Sequence, residues 1–331
     1  MSFLNTNIPE LKGFDTGLCL SNLDILVARQ SRIGESMLAV LAELCDAILR
    51  DAEKDPDTID SILLSLQGSP DGESNEAPSL PSSVAPVNRD AVARISGHSG
   101  LYARLLLYAM IEQRMPVAPA PKETSLLPPS ARGRIAYMPA AFADKAYLAL
   151  SAAVDHPRSV AAPSFVDACE EVRGGLCEFC ILPLESTHSG KLTAFAHLLL
   201  RYNLRAVAIC DLENGAVKGQ ITRFALLRAA REEFFPSPML PPRNGEPLYL
   251  ELIHTGDSPS LTDLLTAAEF CGMKVCRIDT LPRFEELDVE SPLLSCVLDV
   301  ANGDLPAFRR FLSLEASEDT VIGLYSSVKN N

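Results

Sequence analysis

Cys180-Ile181-Leu182-Pro183-Leu184-Glu185-Ser186-Thr187-His188-Ser189-Gly190-Lys191 is an apolar strand that breaks into a polar, acid-bearing loop, with a helical pattern resuming at Leu192. Small anions bind at strand-to-helix loops of this kind, where backbone N–H groups point outward from a helix start. A second patch, Ile221-Thr222-Arg223-Phe224, follows Gly190 by 31 residues and again sets a hydroxyl and a guanidinium at the start of an apolar strand. The two patches together predict one site for a carboxylate-bearing metabolite.

Around this stretch, short apolar runs alternate with helical spacing. Ile135 to Met138, Phe179 to Leu182, Val207 to Cys210 and Phe224 to Leu227 read as strands. Phe142 to Ala153, Phe165 to Arg173 and Leu192 to Arg201 carry the three-and-four spacing of amphipathic helices. That order predicts an α/β lobe over 132–230 with a mainly parallel sheet and a ligand site at the carboxyl ends of its strands, where Glu185 to Gly190 falls.

Farther on, strand Leu248 to Ile253 leads through a Ser258-Pro259 cap and first-turn pair to a helical stripe of Leu261, Leu264, Leu265 and Ala268. Strands Met273 to Ile278 and Leu294 to Val300, helix Leu305 to Leu314 and strand Val321 to Tyr325 complete the order βαββαβ, a ferredoxin-like arrangement over 247–329. Residues 1–115 read as a helical region, with apolar stripes at Leu23, Leu26 and Val27, at Met37, Val40, Leu41 and Leu44, and at Leu101 to Met110. Residues 67–87, rich in Ser, Pro, Gly and acid, predict a disordered loop, and 116–130 a Pro- and Ala-rich linker.

Composition narrows the partners. A formal charge of −14, from 43 acidic and 29 basic residues without a basic cluster, argues against nucleic acid. Neither a membrane span nor a secretory signal is read in the chain, so the expected location is cytoplasmic. Most of the nine cysteines sit in apolar periodic segments, where a reduced thiol packs as a small hydrophobe. Cys177-x-x-Cys180 lacks a second pair, which favours a structural role over a metal or redox one. No metal and no cofactor is expected.

The run Phe165-Val166-Asp167-Ala168, Gly174-Gly175, Ile181 to Thr187 and Gly190 resembles the prephenate dehydratase family, whose hallmark is a Pro-Ile-Glu-Asn-Ser-x-x-Gly loop after a strand. Ile221-Thr222-Arg223-Phe224 is similar to its Thr-Arg-Phe motif, and the C-terminal unit, down to Ile322-Gly323-Leu324-Tyr325, resembles the regulatory ACT domain that follows. The helical first region stands where bifunctional relatives carry a chorismate mutase domain, with Lys12, Arg29 and Arg50 loosely placed for it. Three departures accompany the likeness. Met138-Pro139-Ala140-Ala141-Phe142-Ala143 replaces the family's Gly-Pro-x-Gly-Thr-Phe-Ser loop. Ser186 replaces Asn, and the interval from Gly190 to Ile221 is too short for the family's second catalytic lobe.

The resemblance implies conversion of prephenate to phenylpyruvate, water and carbon dioxide in L-phenylalanine biosynthesis. It makes Thr222 the hydroxyl donor, Arg223 a nearby charge and Glu185 the residue that orients the loop. Ser186, Thr187, Ser189 and Gly190 would hold substrate, and Ser260, Leu261 and Asp279 would take a regulatory ligand. It implies a homodimer joined through the C-terminal domains. A second reading stands beside it: a catalytically inactive relative that senses a small ligand or regulates a partner enzyme in aromatic amino-acid metabolism. Each residue also has a plainer role. Thr222 suits a strand beside a surface Arg223, Ser186 to Gly190 suits an ordinary turn, and His188 suits a solvated loop.

Overall fold

Alternating strand and helix patterns across 134–229 set the first half of the architecture. The computed structural model describes residues 46, 100–114, 127–213, 219–230, 238–239, 245–255, 259–281, 293–317 and 319–328. The chain separates into two compact units between Leu107 and Tyr108, a division that falls inside helix α1 (Gly100–Arg114). The other stripes expected in 1–115, together with Lys12, Arg29, Arg50 and the 67–87 loop, lie outside the described residues, as does most of the 116–130 linker.

The protein is α/β. After α1 come β1 (Arg134–Tyr137), α2 (Ala141–Ser151), β2 (Arg158–Ala161), α3 (Phe165–Arg173), β3 (Phe179–Ser186), β4 (Gly190–Lys191) and α4 (Thr193–Arg201). Then follow β5 (Leu204–Glu213), β6 (Ile221–Ala229), β7 (Tyr249–His254), α5 (Leu261–Phe270), β8 (Lys274–Leu281), β9 (Leu293–Asp299), α6 (Leu305–Glu315) and β10 (Thr320–Ser327). The strands form one ten-stranded sheet in the order β2-β1-β3-β6-β5-β10-β7-β9-β8, with β4 paired to β3 off that path.

The lobe is parallel only across β2-β1-β3. β6 runs antiparallel between β3 and β5, because β5 returns to β6 by a short connection and a parallel return would require a crossover of a dozen or more residues. In the second half, β10, β7, β9 and β8 are antiparallel neighbours. The two halves meet where β10 pairs parallel to β5, so the sheet runs unbroken across the interval between 230 and 247. At that seam Gly323 pairs with Ala206, and a side chain there would collide with the Ala206 backbone.

Helices cover both faces of the lobe. Ala146 and Leu150 of α2 pack with Phe179, Ile181, Val207 and Phe224 on one face. Cys169 and Val172 of α3 and Leu199 of α4 pack with Cys180, Leu182 and Ala206 on the other. This second cluster continues through Ile253, Leu281, Leu293, Ile322 and Tyr325, so the core also crosses the seam. Each large apolar side chain buried there contributes roughly 1.5–3 kcal/mol.

Local chemistry fixes the helix ends. The Ser164 hydroxyl accepts from the Asp167 N–H at the start of α3, and Asp304 accepts from the Ala307 N–H at the start of α6. The helix expected to be capped at Ser258-Pro259 instead starts at Leu261, with the Ser260 hydroxyl accepting from the Asp263 N–H. The Asp263 carboxylate answers by accepting from the Ser260 hydroxyl, a reciprocal cap that fixes the start at that serine. Within the second unit, the Tyr108 hydroxyl donates to Glu315 at 2.6 Å, and Arg310 pairs with Glu112 at 2.6 Å.

Candidate functional site

Strand β3 passes through the polar stretch rather than stopping before it. Its last residues pair with β4, Glu185 opposite Lys191 and Ser186 opposite Gly190, which leaves Thr187, His188 and Ser189 as a three-residue hairpin loop. Gly190 sits at φ +67, the left-handed position such loops require. The Ser186 hydroxyl accepts from the His188 N–H at 3.3 Å. Thr187 is bound to the far strand: its hydroxyl accepts from the Ile221 N–H at 3.0 Å and donates to the Gly219 carbonyl at 3.4 Å. The expected opening onto a helix is thus a hairpin. Helix α4 starts only at Thr193, and its N-cap, Leu192, offers no side-chain cap.

The fold brings the two sequence patches together. Ser186 pairs with Thr222, and Glu185 with Arg223, across the antiparallel β3–β6 ladder. The register shifts between Pro183 and Glu185, a bulge at Leu184 of the kind that re-aims a side chain. The Arg223 guanidinium is held bidentately by Asp211 of β5, through Nε at 2.8 Å and Nη2 at 3.0 Å. Its remaining Nη1 donates to Glu185 Oε1 at 3.0 Å.

The same carboxylate receives a second arginine, from the other half of the sheet. Arg277 of β8 donates from Nη1 to Glu185 Oε1 at 3.1 Å and from Nη2 to Oε2 at 2.6 Å. Arg277 Nε lies 2.7 Å from Asp279 Oδ2, an ion pair by distance that is not aligned as a hydrogen bond. Burial opposes the Arg223 cation, but hydrogen bonding to Asp211 and the charges of Glu185 and Asp211 outweigh it and raise its pKa. Hydrogen bonding to Glu185 raises that of Arg277 against its burial. The side chains keep partial access to solvent, 19% for Glu185, 28% for Arg223 and 37% for Arg277.

A second polar cluster lies deeper. Glu251, in the middle of β7, receives Lys191 from β4, the Ser295 hydroxyl at 3.1 Å and the Tyr325 hydroxyl at 2.6 Å; Lys191 also donates to Ser295. Burial pushes the Glu251 carboxyl up, and Lys191, Tyr325 and Ser295 together bring it below its ordinary value. Burial, then the neighbouring Glu251 charge, pushes the Tyr325 phenol well up. Lys191 and Glu251 line a cavity of about 20 Å³ with Leu184, Ala196, Leu199, Ile253, Leu281 and Ile322. Such a space holds about one water molecule; a ring bearing two carboxylates does not fit.

The expected regulatory trio is divided in role. Ser260 caps α5, Leu261 is the first residue of that helix, and Asp279 lies in β8 beside Arg277. His188 and Ser189 are exposed on the hairpin loop. Cys177 and Cys180 are buried free thiols. The Cys180 thiol is pushed well up by its hydrogen bond with Cys169 and by burial, which leaves it unreactive. Among the described residues, no cluster of His, Cys, Asp and Glu could hold a metal ion, and no helix is long and apolar enough to cross a membrane.

Sequence reading missed Asp211, Arg277, Lys191, Glu251, Ser295 and Tyr325. One signal was available. Tyr249-Leu250-Glu251-Leu252-Ile253 sets an acid inside an apolar strand, and a buried carboxylate requires a cation and hydrogen-bond donors. The identity of those partners depends on strand order, which spacing does not carry.

No protein-family model matches the chain, and no curated protein is significantly similar to it in sequence. Among solved structures, prephenate dehydratase from Streptococcus mutans is similar at 17% identity and a TM-score of 0.43, over 59% of this chain and 99% of that one. GqqA, described as a novel type of quorum-quenching acylase, is similar at 16% identity and a TM-score of 0.42, over 58% and 94%. Prephenate dehydratase from Arthrobacter aurescens in complex with L-Phe is similar at 14% identity and a TM-score of 0.39, over 58% and 89%.

Proposed function

We propose that this protein is a non-catalytic relative of the prephenate dehydratases that binds a small carboxylate and serves a regulatory role in aromatic amino-acid metabolism. The family half of this reading rests on the ordered motifs around Glu185, Thr222 and Arg223 and on the βαββαβ tail. The non-catalytic half rests on one observation: the groups that would act on substrate bind one another. Both oxygens of Glu185 and the Nη1 of Arg223 are committed to an ion-pair network, and Ser186 and Thr222 are neighbours in a ladder rather than walls of a cleft. Dehydration of prephenate requires a proton donor aimed at the departing hydroxyl and fixed partners for two carboxylates, in a site that excludes water.

The same reading includes pairing with a second copy through the C-terminal half. Strand β8 ends the sheet order and carries Val275 and Ile278 exposed at 38% and 39%. Among the described residues no strand covers that edge, and an edge of this kind is a template for strand pairing. Sedimentation of the purified protein tests this, with a dimer expected.

Phenylpyruvate formation from prephenate at neutral pH, where spontaneous aromatisation is slow, tests the main claim. Wild type and Thr222→Ala are expected to match the blank without protein. Turnover by wild type that falls in Thr222→Ala overturns the non-catalytic assignment and restores the dehydratase reading.

A further inference from the structure

Two guanidinium groups from opposite halves of the sheet converge on one point, and each is braced from behind. Asp211 holds the Nε and Nη2 edge of Arg223, and Asp279 lies against Nε of Arg277. This leaves Nη1 of Arg223 and both Nη atoms of Arg277 aimed at a single carboxylate position. Braced guanidinium groups presenting parallel N–H donors are how proteins recognise carboxylates. The carboxylate in that position belongs to the chain itself, at the end of β3 next to a three-residue hairpin. All three side chains are partly open to solvent, and β8 is the outermost strand of the sheet.

We infer that Arg223 and Arg277 form a carboxylate-binding seat in which Glu185 is an internal ligand, exchangeable for the carboxylate of a small external acid. This deepens the ligand-binding part of the function proposed above by giving that ligand a site. Glu185 acts as a tethered competitor. A group held on the same chain has an effective concentration in the millimolar range, so an external acid must exceed that to displace it. Exchange frees the hairpin end from β8, so occupancy of the seat is signalled by loosening of the contact between β3 and β8. Glu251, Tyr325 and Tyr249 also lie close to the two arginines. The phenols are neutral, Lys191 pairs with Glu251, and Asp211 and Asp279 already offset the two guanidinium charges, which sets the seat for one carboxylate rather than a polyanion.

The test is binding of acetate and of benzoate to the full-length protein, followed by calorimetry and by melting temperature against sodium chloride at equal ionic strength. Glu185→Ala vacates the seat and is expected to bind at least tenfold more tightly than wild type, with a melting temperature that rises with carboxylate and not with chloride. Adding Arg277→Gln to that variant is expected to abolish the response. Glu185→Gln preserves side-chain volume, folds if the alanine variant does not, and is expected to bind at least threefold more tightly than wild type. A folded Glu185 variant that binds neither acid more tightly than wild type overturns the seat. So does equal binding with and without Arg277. These outcomes are independent of prephenate turnover, so failure of the seat and failure of the non-catalytic assignment are told apart.

Discussion

Two polar clusters tie the β3–β4 hairpin to the second half of the sheet, and they differ in depth. Around Glu251 the side chains are sealed, with Glu251 7% and Lys191 14% exposed. Around Glu185 the corresponding figures are 19% for the acid and 37% for Arg277. Depth decides what such a cluster can do. A sealed carboxylate that loses its partners costs several kcal/mol, so the Glu251 cluster holds the halves in one register. A half-open ion pair costs little to break because water and salt stand ready to replace it, so the Glu185 cluster is free to exchange. The two acids lie on β3 and β7 of one sheet, with three strands between them, yet one is structural cement and the other a removable plug.

Removing the deeper acid tests this contrast hardest. Glu251→Ala leaves Lys191 without its counter-ion and the Tyr325 hydroxyl without its acceptor and is expected to lower stability by about 3–5 kcal/mol in denaturant titration; a loss comparable to that of a surface pair would erase the distinction. Tyr325→Phe removes one donor from a buried carboxylate and is expected to cost about 1–3 kcal/mol.

Acid titration separates the clusters further. Lys191, Tyr325 and Ser295 hold the folded Glu251 pKa below the ordinary 4.5, so the unfolded chain takes up the proton first as pH falls. The stabilisation is therefore complete above about 4.5 and is lost as pH drops through the lower folded value. The Tyr325 pKa is raised above 10.0, so its contribution is complete below that pH and is lost at higher alkalinity. Glu251→Ala is expected to lose the Glu251 component of the acid limb, read by denaturant midpoints from pH 3 to 6. At the shallow end, Arg277→Gln is expected to cost only about 0.2–1 kcal/mol, and the cost shrinks further in high salt. An insensitivity to salt there would place Arg277 with the sealed cluster.

How far this was readable in the chain depends on the kind of feature. Helix α3 coincides with the expected 165–173 because Ser164, Asp167 and the apolar positions Ala168, Cys169 and Val172 all act locally. Strand β2 was missed: Arg158-Ser159-Val160-Ala161 is a short edge strand, largely exposed, without an apolar face to give it away. The pairing of Thr222 with Ser186 and of Arg223 with Glu185 brings side by side two patches that the sequence had already assigned to one site, but as neighbours in a ladder. Arg277 stayed hidden because its contact with Glu185 spans 92 positions and depends on β10 docking beside β5, which brings the two halves into one sheet. Gly323 was visible as part of a family-like ending, but its reason, the closeness of the Ala206 backbone, exists only once that seam is formed.

The central claim is that the charged groups of the candidate site are spent on one another. A double-mutant cycle on Glu185 and Arg277, read by denaturant unfolding at low ionic strength, tests it most directly. The account predicts a favourable coupling of about 0.5–1 kcal/mol that fades as salt is added. Additive effects of the two substitutions, with no coupling at any salt concentration, would show that Glu185 is not held by Arg277 and would contradict it.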